Sequence, residues 1–159
     1  MPDRPPTAEE GARLRRVANF QFGPGGADAL FGAVDALSVE RTSSGRIEQC
    51  YDDGRRLAAV ATNGRFVLSV AGARRIAGGL DAPRHRVVVG EESVPHVREG
   101  RNAFAKFVQS VDPGLRPGEE TVVVHDGDVL GVGRAELSAD GMRDFETGVA
   151  VFVRHGTGD

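Results

Sequence analysis

Acid–base, nucleophilic and metal chemistry all need reactive side chains brought together, and this sequence disperses them. His85, His96, His125 and His155 are never three or four residues apart, and Cys50 is the only thiol. A His/Cys metal site would need distant segments to converge, because sequence-local metal motifs place their ligands in close pairs. No metal site and no cofactor is therefore expected. A nucleophilic serine in a Gly-x-Ser-x-Gly elbow is absent. Asp52-Asp53 and Asp126-Gly127-Asp128 bring carboxylates together, but in stretches that read as turns, where Asp bonds the local backbone. Gly23-Pro24-Gly25-Gly26 has the glycines of a phosphate loop, yet no Lys-Ser/Thr pair follows it and no buried strand precedes it. It reads instead as a tight turn between two helices. Cys50 reads as a buried thiol acting as a small hydrophobe. No catalytic residue emerges, and the chain is read as not an enzyme.

What remains is arginine. Of 20 basic residues, 19 are Arg and one is Lys106. Arg binds phosphate bidentately and stacks on bases, whereas Lys acts as a point charge. A GC-rich genome or a salt-adapted host would give the same excess. The net charge is −3, so a positive face must come from placement and not from the total. Residues 1–82 hold 11 basic and 10 acidic groups, residues 83–116 hold 6 and 4, and residues 117–159 hold 3 and 9. Any basic face is thus expected from the first two thirds, or from a few well-placed arginines.

The elements that must position these residues are short. At 159 residues, 40% hydrophobic and 27% charged, the chain has globular composition and room for one ordinary domain or two small ones. It has no apolar run of the roughly 20 residues that a membrane span needs. MPDRPPTAEE lacks the basic-then-apolar layout of a signal peptide, and a lone cysteine suits a reducing compartment, so the cytoplasm is the expected location. Thr7 with Glu10 has capping-box spacing and predicts a helix to about Ala18, with Leu14 and Val17 inward. A second short helix is expected through Ala29-Leu30-Phe31. Strands follow at 36–41, 46–51, 57–61 and 65–70, and Asn63-Gly64 predicts a hairpin turn with both residues at positive φ. Residues 71–80 read as a helix closing this unit, with Ala73, Ile76 and Leu80 on one face.

Asp81-Ala82-Pro83 is the expected boundary, dividing the chain into residues 1–82 and 83–159. Beyond it come a strand from Arg86, a two-turn helix from Ser93 to Glu99 ended by Gly100, and a strand over 103–111. In that strand Phe104, Lys106 and Val108 should share one face. A hairpin over 121–137, a helix capped by Ser138 and carrying Met142 and Phe145, and a last strand at 149–153 complete the pattern. Short strands and few helices suggest a small barrel.

This order over residues 84–155 resembles the PUA domain, named from pseudouridine synthases and archaeosine transglycosylases. The stretches that carry the likeness are Val94 to Val108, Leu115 to Val124, Val129 to Ala135 and Gly148 to Arg154. The segment Ala18 to Phe31, then Ser44-Gly-Arg-Ile47, Tyr51-Asp-Asp-Gly54 and Gly64 to Leu68, is similar to the pre-PUA domain of archaeal tRNA-guanine transglycosylases. The resemblance spans about residues 12–155. It implies an α+β fold: a small cystatin-like pre-PUA unit followed by a mixed β pseudo-barrel. The catalytic barrel of those enzymes, with its nucleophilic carboxylate and zinc site, has no counterpart in these residues.

The resemblance further implies a non-catalytic RNA-binding protein, gripping tRNA or another structured RNA beside the helix after the first PUA strand. An alternative is a detached targeting subunit or adaptor of a tRNA-modification enzyme. Neither DNA nor membrane is an expected partner. Carried over by position, the RNA-binding residues are Arg98, Gly100, Arg101, Asn102, Phe104, Lys106 and Arg154. Arg98, Arg101 and Lys106 would pair phosphates, and Phe104 would stack on an unpaired base. Phe104 could equally be core, Gly100 a helix cap and the arginines solvated surface, and Glu99 stands among the basic candidates.

Overall fold

A computed structural model describes residues 4–32 and 37–158. They form two compact units, Met1–Leu80 and Asp81–Asp159, each with its own sheet.

In the first unit, α1 spans Ala8–Phe22 and α2 Gly26–Phe31. The Thr7 hydroxyl accepts from the Glu10 amide, and the Glu10 carboxylate accepts from the Thr7 amide at 2.9 Å, which closes the capping box. The helix runs one turn beyond its predicted end because Phe22 is buried and extends the inward stripe of Leu14 and Ala18. Val17 is only half-buried. The glycine-rich segment is a turn between the two helices, and the Asn19 side chain accepts from the Ala27 amide across it at 2.9 Å.

Strands β1 (Leu37–Arg41), β2 (Ile47–Asp52), β3 (Arg55–Val60) and β4 (Phe66–Leu68) form an antiparallel sheet in chain order. Helix α3 (Val70–Gly79) then buries Ala73 and Ile76 against it. Ser69 caps α3 by accepting from the Gly72 amide at 3.1 Å. A Cβ on Gly72 would sit 2.1 Å from the Leu57 carbonyl oxygen, so only glycine lets α3 approach β3 this closely.

The hairpin turns differ in type from the reading of Asn63-Gly64. Gly64 has φ +87° but Asn63 is not at positive φ; Gly64 N–H donates to Ala61 O, and Ala61 N–H to Arg65 O. This is a longer loop in which one glycine takes the left-handed position. The two-residue turns with both φ positive are instead Asp53-Gly54 (51°, 76°) and Asp126-Gly127 (50°, 83°).

The second unit holds β5 (Arg86–Val89), α4 (Val94–Arg98), β6 (Ala103–Phe104), β7 (Val108–Val111), β8 (Glu120–His125), β9 (Asp128–Ala135), α5 (Ala139–Asp144) and β10 (Val149–Gly156). The sheet order is β6-β10-β9-β8-β5-β7, with β5 parallel to β8 and the other pairs antiparallel. Its two edges, β6 and β7, are consecutive in the chain and joined by a 3-10 turn at Ala105–Phe107. The sheet therefore curls into a nearly closed pseudo-barrel. This corrects the reading of 103–111 as one strand: a chain crossing from one edge of the sheet to the other must bend, and the 3-10 turn is that bend. Phe104 and Lys106 consequently do not share a strand face. Val87, Val89, Val97, Val123, Leu130, Met142 and Val151 fill the interior. Helix α5 stops at Asp144, so Phe145, expected on the helix, is its C-cap and stands exposed. No helix among the described residues is long and apolar enough to cross a membrane.

Candidate functional site

In the second unit, an open groove of about 600 Å³ lies where α4, the segment after it and β10 meet. Its lining comes from Ser93 and His96 at one end, Gly100, Arg101 and Asn102 in the connection, and Phe104, Phe107, Phe152 and Val153. Two rings stand open to solvent, Phe104 at 45% and Phe152 at 49% exposure. Solvent-exposed aromatics lining a groove of ligand size are what a binding surface needs and a core does not.

The chain enters the groove through Gly100, where the helix ends. Gly100 has φ +90°, which disfavours any other residue, and its amide donates to Val97 O at 2.9 Å. Arg101 N–H reaches back to His96 O at 2.9 Å. Asn102 is structural as well as lining, since its side-chain oxygen accepts from the Val153 amide at 3.1 Å and ties the connection to β10. The Arg101 guanidinium is mostly exposed and lies 3.7 Å from Glu99, a separation too wide for a strong pair.

Of the seven residues singled out from sequence, Gly100, Arg101, Asn102 and Phe104 come together in this groove. Arg98, Lys106 and Arg154 are not in its lining. Arg98 donates to the Thr157 hydroxyl at 3.0 Å. Lys106 sits over the Phe107 ring, 5.0 Å from its centroid. Arg154 makes a two-pronged pair with Glu120 on β8, at 2.6 and 3.2 Å. Sequence reasoning passed over His96 and Phe152. Phe152 was findable: it lies between Val151 and Val153, which are buried, so alternation sends its ring outward. Arg134 on β9 faces that ring from 5.5 Å, as cross-strand pairing of Phe152 with Arg134 requires. His96 carries no signal beyond its place on a short helix.

Among the described residues, no group of three or more His, Cys, Asp or Glu side chains could hold a metal ion. Cys50 is fully buried, and burial pushes its thiol up to about 12, so it is not a thiolate nucleophile.

A curled mixed sheet with a groove beside the helix after its first strand is the architecture of a PUA domain. Residues 85–157 match the PUA domain family, and residues 12–83 match the patch-forming domain C2 of tRNA-guanine transglycosylase. The chain is thus a member of the PUA-domain proteins, with a pre-PUA unit before the PUA unit. It is 42% identical over 154 residues to the tRNA-guanine(15) transglycosylase of Pyrococcus abyssi, covering 95% of this chain and 26% of that enzyme. The enzyme of Methanothermobacter thermautotrophicus is 37% identical over 153 residues, covering 94% and 23%. The chain spans about a quarter of the length of these curated relatives and corresponds to their C-terminal region. Among solved structures, a hypothetical protein of Pyrococcus horikoshii superposes with a TM-score of 0.75 at 21% identity, covering 98% of this chain and 95% of that one. A conserved PUA domain protein of Thermoplasma acidophilum gives 0.57 at 25% identity, covering 80% and 74%.

Proposed function

We propose that this chain binds structured RNA, tRNA foremost, through the groove of its PUA unit, and performs no chemistry itself. The observation that carries the reading is the pair of exposed rings, Phe104 and Phe152, beside the exposed Arg101 at a glycine-opened entrance. A π-surface next to a cation suits an unpaired nucleotide, with the base stacked and its phosphate paired. Relatedness to part of a tRNA-modifying enzyme supports tRNA as the RNA. Arg98 and Lys106 would extend the basic rim beyond the groove, while Arg154 would contribute only by exchanging Glu120 for a phosphate. A cytoplasmic location accords with such a partner.

The test is direct binding of purified protein to a tRNA transcript across a salt series. Affinity that falls log-linearly with salt and is weakened by Phe104→Ala supports the reading. Absence of binding at low salt rejects it. An adaptor role for a tRNA-modification enzyme is favoured by the same relatives, whose remaining three quarters lie outside this match. It predicts that a transglycosylase binds tRNA more tightly with this chain present. The chain alone should exchange no base in tRNA.

A further inference from the structure

The most exposed large apolar side chain of the described residues is not in the PUA unit. Phe20, on α1, is 82% exposed. It borders an open groove of about 560 Å³ lined by Arg16, Val17, Phe20 and Gln21 from the helix and by Asn63, Gly64 and Arg65 from the β3–β4 turn. No acidic residue is in that lining. A second concavity, sharing Val17 and Gly64 with it, adds Arg13 and Arg46. Its one carboxylate, Glu10, is already engaged: Arg41 holds it at 2.5 and 3.1 Å and the Thr7 amide bonds it as well.

Geometry explains the grouping. Arg13, Arg16 and Phe20 lie three, four and seven residues apart, so they stack along one stripe of α1. Gln21 fixes the turn beside that stripe, since its amide bonds the Phe66 backbone in both directions. Burial cannot account for Phe20, and neither its ring nor the guanidinium of Arg13, Arg16 or Arg65 has a hydrogen-bond or ion-pair partner among the described residues. The surface is therefore one bare aromatic ring with Arg16 and Arg65 in its own groove and Arg13 and Arg46 in the adjoining one, where the Arg46 guanidinium also donates to the Ile47 and Val60 carbonyls. Charge selects the occupant: a polyanion with flat apolar faces, which is single-stranded RNA.

We propose that the N-terminal unit carries a second RNA contact, in which Phe20 stacks on an unpaired base while Arg16 and Arg65, backed by Arg13 and Arg46, hold the neighbouring phosphates. This rests on the reading of the chain as RNA-binding and adds a site to it. Anisotropy with fluorescein-labelled oligouridylate tests it. Phe20→Ala should weaken binding by roughly 5- to 150-fold, the loss expected of one base stack, and Phe20→Tyr should restore it. The Arg16→Ala/Arg65→Ala double variant should lower the log–log salt slope by about 1.4, two phosphates at roughly 0.7 each. Thermal melting should be unchanged for Phe20→Ala, because the ring is exposed. Wild-type protein that binds neither oligouridylate nor a tRNA transcript overturns this site and the RNA-binding reading together. Binding that Phe104→Ala weakens and Phe20→Ala leaves intact overturns this site alone. So does a Phe20→Ala effect seen only as lost self-association, which would assign the surface to a protein contact.

Discussion

The side chain of Gln21 clasps the backbone of Phe66 from both directions: the Phe66 amide donates to Oε1 at 2.7 Å, and Nε2 donates to the Phe66 carbonyl at 2.8 Å. Phe66 lies on β4, an edge of the four-stranded sheet, where these groups would otherwise lack a neighbouring strand. One glutamine from α1 thus stands in for a ladder partner and locks helix to sheet. Gln21→Ala should cost about 1–3 kcal/mol, because it strands a half-buried donor and acceptor. Urea unfolding at unchanged slope would measure it, and a loss under a few tenths would show the clasp to be dispensable.

Glu10 joins α1 to β1 through Arg41, and that guanidinium, with the Thr7 amide, lowers its carboxyl from 4.5 to about 2. A carboxyl whose pKa is depressed in the folded state stabilises the fold above its unfolded value. That stabilisation is lost as pH falls toward the folded value. The melting temperature of wild type should therefore drop between about pH 4.5 and 2 more than that of Glu10→Gln, which lacks the titrating group. Parallel acid profiles for the two proteins would remove this role from Glu10.

Phe104 and Arg101 should separate in their effects on RNA binding. Phe104→Ala is expected to cost on the order of 1–3 kcal/mol of affinity with little change in salt slope. Its 45% exposure means that the fold should survive, whereas a core Phe would lose about 3–5 kcal/mol of stability. Arg101→Ala should reduce the slope by roughly 0.7–0.9. A salt titration of both variants checks the pair, with circular dichroism to verify folding.

Arg154 should behave in the opposite way. Its guanidinium pairs with Glu120, whose side chain is only 9% exposed, so Arg154→Ala removes this ion pair from a mostly buried carboxylate. The expected cost is roughly 1–3 kcal/mol of stability, below that of a fully buried pair because Arg154 keeps some solvent contact. The RNA salt slope should stay as in wild type, and a reduced slope would return Arg154 to the binding surface.

Brief proteolysis should cut first near 81–85. Asp81, Ala82 and Pro83 are exposed between the two units, and Arg84 offers trypsin a site beside them. Fragments ending there and resistant thereafter are expected, and earlier cleavage within either unit would argue against independent domains at this boundary.

Local chemistry made much of the fold legible in the sequence. Thr7 and Glu10 announce a cap, Ser138 sits where a short helix begins, and alternation in the last strand separates Val151 and Val153 from Phe152. These signals act over a few residues, so they survive without knowledge of the rest of the chain. What the sequence concealed depends on partners distant along it. Residues 103–111 have strand alternation throughout, yet barrel closure demands a bend at Ala105–Phe107, which sends Lys106 away from Phe104. Arg154 looks as available as Arg101 until the β8–β9–β10 register brings Glu120 beside it, 34 residues away. Phe20 looks like one more aromatic in an amphipathic helix. Only the packing of α1, which buries Phe22 and turns Phe20 to solvent beside the β3–β4 turn, shows which ring belongs to the core and which stays exposed.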